Sequence, residues 1–277
     1  MFDLKAIKNN RIYILYCFVY FILSWILFGA HISSFIFNIV LYGVSLLIAF
    51  SPVGEWILKH MNRTRDLKTN EEINYLMPIF EEVYNNALNT YPNLSKNIKL
   101  QLMEDVSINA FAFGKHTVAI TTGAIETFSE DELRGVISHE FGHIAGGHTK
   151  ALLLNVVGNG AFSIFPIFIR SILRFLIFVL ALTNTGAHLL PKAMMFVFDI
   201  IVYIFNWIGR MILSINSRAN EYSADEFASK LGYGAELLEA LYLIKNINMN
   251  KSLSLKEKLQ SSHPHIADRI GKLESGL

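Results

Sequence analysis

The chain has 277 residues, 52% of them hydrophobic and only 17% charged, with a net charge of +1 and a mean hydropathy of +0.37. A soluble domain carries roughly 25% charged residues, so this composition excludes an ordinary one. The near-zero charge argues against nucleic acid as a partner, 13% aromatic residues exclude a disordered chain, and one cysteine, Cys17, cannot form an intramolecular disulfide.

Residues 12–54 hold no Asp, Glu, Lys or Arg. A spanning helix needs about 20 apolar residues, so the run reads as a hairpin of two crossings, 12–28 and 35–50, turning at 29–34. Lys5, Lys8 and Arg11 precede it, and Lys59, Arg63, Arg65 and Lys68 follow it. By the positive-inside tendency both flanks are cytoplasmic. A cleaved signal peptide is the competing reading of 12–28; its length, the missing small-x-small site and the second apolar run oppose it.

Residues 55–150 are more polar. The three-and-four spacing of Ile73, Leu76, Met77, Phe80, Val83, Tyr84, Ala87 and Leu88 predicts a helix over 71–90, with Pro78 as a start or a kink. Strand-like text follows at 98–102, then at 108–113 and 117–122 across a Gly114-Lys115-His116 turn. Ser129 with Glu132 three residues on is a capping box, which predicts another helix start. A second apolar region, 151–217, is interrupted by Arg170, Arg174, Lys192, Asp199 and Arg210. It divides as 152–169 and 193–214, or as 171–190 and 193–209 with Pro166 in an irregular stretch; the second division keeps the arginines cytoplasmic. A buried helical core that never spans is the other reading. Beyond it, helices are expected at 221–231, closed by Gly232, at 235–246, and in the tail 261–277.

The helix after Ser129 contains His139-Glu140-Phe141-Gly142-His143. Histidines at i and i+4 share a helix face and can reach one metal ion, with Glu140 beside them to act on water. Composition alone would give about 0.02 such patterns, so chance is a poor explanation. Catalytic zinc takes three protein ligands and keeps a fourth position open, so a third ligand lies elsewhere. The candidates are His148, the neighbourhood of Thr149, or a distant acid. A metzincin spacing places Gly146 correctly but ends on Thr149, and the text does not look like a helix stopped sharply at that glycine. Glu221 is the better choice, with Asp225 four residues on able to hydrogen-bond a ligand imidazole.

Taken together, His139-Glu140-Phe141-Gly142-His143 with His148, Asn220-Glu221-Tyr222-Ser223-Ala224-Asp225, and Ser262-His263-Pro264 with Arg269-Ile270 resemble the M48 family of gluzincin peptidases. Within it the four apolar segments are most similar to the bacterial membrane heat-shock branch. The resemblance implies one Zn2+ per subunit on His139, His143 and Glu221, Glu140 as general base, and Asn109 and His263 as stabilisers of the reaction intermediate. It also implies a mainly α fold with a small β-sheet (α+β), an integral membrane zincin with about four transmembrane helices. The expected divisions are 1–54 as an anchor hairpin, 55–150 with the sheet and zinc helix, 151–217 with about two crossings, and 218–277 with the third ligand. Because His143 and Glu221 meet at one ion, the chain between them crosses the bilayer an even number of times. The site therefore faces the cytoplasm from a cell membrane, and the expected partners are the lipid bilayer and peptide or membrane-protein substrates, cut in membrane-protein quality control. A prenyl-protein-processing branch of the same family, or a non-enzymatic scaffold with an unused metal site, are the alternatives.

Overall fold

The computed structural model describes residues 18–19, 21–22, 25–26, 29–149, 160–183, 185–248 and 266–276. His263 and the larger part of the 12–28 segment lie outside the described residues. Helix α1 is Ile32–Phe50 and α2 is Pro52–Met61; strand β1 is Thr64–Arg65. Then come α3 (Asn70–Thr90), β2 (Lys99–Met103), β3 (Ala110–Phe113), β4 (Thr117–Thr121), α4 (Thr122–Thr127) and α5 (Glu130–Gly146). The remaining helices are α6 (Gly160–Ala181), α7 (Leu189–Lys230), α8 (Gly234–Asn248) and α9 (Ile266–Gly276).

The expected α+β fold is what forms. The sheet has the order β1-β2-β4-β3, with β2 parallel to β4 and the other pairs antiparallel. β3 is an edge strand joined to β4 by a turn at Gly114, whose φ of 58° suits a residue without Cβ. One sheet face and the apolar stripe of α3 enclose α5: Leu76, Phe80, Val83, Leu100, Ile120 and Phe141 are all buried in one cluster. α3 starts on a capping box of Thr69 and Glu72 and runs through Pro78, which therefore neither starts the helix nor ends it. Its neighbours Ile79 and Phe80 are 2% exposed, and that packing offsets the hydrogen bond that proline removes. α5 starts on Ser129: its hydroxyl accepts from the Glu132 amide at 3.3 Å, and its own amide donates to the Glu132 carboxylate at 2.7 Å.

The two apolar regions differ in detail from expectation. The turn at 29–34 is confirmed in part: Gly29 and Ala30 have positive φ, and α1 begins at Ile32. Phe21 and Trp25 pack edge-on against Phe35 at centroid distances of 5.6 and 5.3 Å, which places these two residues alongside α1. In the second region the helix bounds coincide with neither expected division, of which residues 152–159 lie outside the described residues. α6 runs through Pro166, and the break falls at 182–188. α7 continues without interruption past Ser217 and Arg218 to Lys230, so the expected separate helix at 221–231 is its last three turns. Taken over the described residues, no helix is long and apolar enough to cross a membrane. Large apolar side chains nevertheless stand open along three helices, among them Ile36 and Leu47 on α1, Phe175 and Phe178 on α6, and Leu190 and Phe196 on α7.

Candidate metal centre

α5 and the last turns of α7 cross in close contact. A Cβ on Gly142 would lie 2.8 Å from the Cα of Ala224, so the missing side chain permits the approach. The crossing brings His139 and His143 of α5 against Glu221 and Asp225 of α7. His139 Nε2 and His143 Nε2 are 3.1 Å apart; Glu221 Oε2 lies 3.4 Å from the first, and Glu221 Oε1 3.6 Å from the second. Bonds of about 2.0–2.2 Å around a tetrahedral ion put neighbouring donors roughly 3.3 Å apart. Two imidazoles and a carboxylate at these separations fit a single small divalent cation, and among the described residues they form the one such group.

The surroundings decide which nitrogen carries each proton. His139 Nδ1 donates to Asp225 Oδ1 at 2.9 Å, which leaves Nε2 as the lone-pair donor. Asp225 is thus placed where the sequence put it. His143 Nδ1 lies 3.0 Å from His148 Nδ1; with the His143 proton on Nδ1, His148 accepts it. His148 therefore reaches the back of the His143 ring and is not a third ligand. It gets there because α5 does stop sharply at Gly146, contrary to the expectation from the text: Gly147 takes a left-handed φ of 72°, and a Cβ on Gly146 would strike the His148 ring.

Burial and the Arg269 charge oppose an imidazolium at His139, but the hydrogen bonds to Asp225 and Glu221 outweigh them and push its pKa up to about 9. Burial and the neighbouring His139 charge drive His143 well below the usual range. Of two imidazole nitrogens 3.1 Å apart, only one can hold the proton. Burial also opposes ionisation of Asp225, yet the bond from His139 and the Arg269 charge keep its carboxyl below the ordinary value. A cation must displace the His139 proton below about pH 9, so apparent zinc affinity should drop about tenfold per pH unit from about pH 8 to about pH 6. Chelator competition at several pH values measures this; a flat profile would contradict it.

Asn109 precedes β3, on the edge nearest α5. Its side-chain oxygen accepts from the Ala110 amide at 3.0 Å, which leaves its Nδ2 hydrogens as donors. Glu140 is buried on α5 between the two histidines in sequence. Sequence reasoning assigned no role to Arg269, which lies buried beneath the site. Its Nε and Nη2 donate to the two Asp225 oxygens at 2.9 and 2.6 Å, and its Nη1 lies 3.1 Å from Glu221 Oε2. A signal was present: with Ile266, Ile270 and Leu273 it occupies one stripe of α9, where an arginine on the apolar side calls for a buried partner.

Residues 72–276, well over half of the chain, match the family model described as "Peptidase family M48". The chain belongs to this family. It is also similar to "Protease HtpX" of Shewanella oneidensis, at 29% identity over 196 residues covering 64% of this chain and 67% of that one. The "Protease HtpX homolog" of Neisseria meningitidis is 28% identical over 181 residues, covering 60% and 62%. Among solved structures, S. mikatae Ste24p shares the fold with a TM-score of 0.51 at 20% identity, across 86% of this chain and 56% of Ste24p. This M48 member is HtpX-like, and its His–His–Glu group supports the metalloprotease character of that family.

Proposed function

We propose that this M48 member is a membrane-bound zinc endopeptidase that cuts unfolded segments and damaged membrane proteins at the cytoplasmic face of a cell membrane. The observation that carries the chemistry is the buried triangle of His139, His143 and Glu221 with Glu140 on the same helix. When bound, zinc on those three residues supplies Lewis acidity toward a carbonyl oxygen and toward water. Glu140 accepts a proton from the attacking water and returns it to the leaving amine. Asn109 donates through Nδ2 to the developing oxyanion, a role the resemblance also implies for His263. Edge strand β3 aligns an extended substrate backbone by pairing with it, which makes selection by side chain weak.

Two observations support the membrane part. Apolar side chains such as Leu47, Phe175 and Phe196, at 75%, 68% and 66% exposure, cannot face water over three helices without cost. Arg170 and Asp199 pair at 2.7 Å between α6 and α7, which is how charges are accommodated between helices in an apolar medium. On this reading the open apolar faces of α1, α6 and the first part of α7 lie against lipid, and the roughly four crossings involve residues beyond the described ones. The division into anchor hairpin, sheet-bearing part, second membrane region and C-terminal part follows.

The test uses the full chain purified in detergent. About one zinc per chain is expected, together with cleavage of an unfolded, casein-like substrate that a chelator abolishes and added zinc restores. A metal-free protein, or hydrolysis indifferent to the chelator, would sink the reading; bound zinc without hydrolysis would favour the scaffold alternative.

A further inference from the structure

Among the described residues Arg269 is the one buried Lys or Arg side chain. Burying a guanidinium is costly unless it is paired and hydrogen-bonded, and here two nitrogens donate to Asp225 and the third forms an ion pair with Glu221. Nε and Nη2 form a side-on fork with Asp225, and Nη1 reaches Glu221. The two acceptors are one helical turn apart on α7, so one rigid plane spans both. A lysine ammonium is a single point and cannot reproduce this. The consequences run to two of the three metal donors. Glu221 is held directly, on the oxygen that faces His139 Nε2; His139 is held through Asp225, whose Oδ1 takes both the Arg269 and the His139 hydrogen bonds.

Arg269 comes from α9, at the far end of the chain from α5. The helix is docked by Ile270 and Leu273 against Ala228, Leu237 and Leu241, and Lys272 lies 4.3 Å over the Tyr222 ring. Two effects on a bound cation oppose each other. The guanidinium charge repels it, while Nη1 holds the ligand carboxylate and the fork on Asp225 orients the ligand imidazole, the kind of support whose loss costs about 10–100-fold in metal affinity. A buried, bidentate hold on Asp225, which orients the His139 ring, together with a single contact on the ligand Glu221, favours the second.

We propose that Arg269 is a positioning residue for the metal ligands, so that the site retains its ion only with α9 docked and the guanidinium fork engaged. The inference rests on the metallopeptidase reading above. It is tested on the full chain in detergent by zinc competition against a chromophoric chelator and by the visible spectrum of the cobalt-substituted protein. R269K keeps the charge and loses the fork; R269M loses both. Positioning predicts that both weaken zinc binding by about 10–100-fold and alter the cobalt band. A purely electrostatic role predicts wild-type affinity for R269K and tighter binding for R269M, and either result overturns the proposal. R269M strands two buried carboxylates, so its folding is checked by thermal melting, and R269K alone carries the test if R269M does not fold. A wild type that takes up no zinc is a separate outcome, visible before any variant is made, and it sinks the metallopeptidase reading and this inference together.

Discussion

Glu140→Gln is expected to keep its zinc and to hydrolyse peptide about 10³-fold more slowly or worse, the upper part of the range that a positioned general base contributes. The amide is close to the carboxylate in size, so the packing around a residue that is 7% exposed changes little. None of the three clustered donors is touched. What is lost is the ability to accept a proton, and an amide cannot recover it at any accessible pH. The contrast with Glu221→Gln separates base from ligand. That change removes an anionic donor whose two oxygens face His139 and His143 at 3.4 and 3.6 Å, so it should lose the metal along with the activity. Zinc analysis and casein-type hydrolysis on both variants give the comparison. A Glu140→Gln protein that cleaves at the wild-type rate would rule out Glu140 as the proton carrier.

The parts of this molecule legible in its sequence are those set by local rules. The Ser129–Glu132 capping box, the i and i+4 histidines and the turn at Gly114 are each specified within a few residues, and each forms where expected. The α3 helix is legible for the same reason, apart from Pro78: the proline argued for a boundary, but buried contacts on either side of it decided otherwise. The continuity of α7 is not legible, because polarity and backbone conformation report different things. At Ser217 the text turns from apolar to charged, which marks a change of surroundings, while nothing between Leu189 and Lys230 interrupts the helical hydrogen bonds. Glu221 was reachable only by elimination and by resemblance, since it meets His139 through a crossing of helices some eighty residues apart in sequence. Arg269 meets Asp225, 44 residues earlier, from a separate helix, and its stripe position signals burial without naming what it is buried against.

The crossing that creates the site is itself the most exposed to a small substitution. In a helix interior, alanine is favoured over glycine by about 1 kcal/mol, so Gly142→Ala would stabilise the protein if there were room. There is not: the added carbon would lie 2.8 Å from Ala224 Cα and 3.0 Å from its carbonyl oxygen, both backbone atoms that no rotamer change can move. Overpacking of this kind costs about 1–3 kcal/mol. The strain is relieved by moving α5 away from α7, which is the direction that parts His139 and His143 from Glu221, so zinc affinity should also fall by about tenfold or more. Gly135→Ala is the matched control. Its added carbon would collide with the Leu237 backbone of α8, on a helix that carries none of the three donors. It should lose at least comparable stability, and because Leu237 also seats α9, its zinc affinity should fall, but by less than that of Gly142→Ala. Melting is compared on metal-free proteins, because bound metal would itself raise the stability of whichever variant retains it. Equal zinc affinities for the two variants would show that the α5–α7 distance does not set the site. A Gly142→Ala protein more stable than wild type would show that the close approach itself is absent.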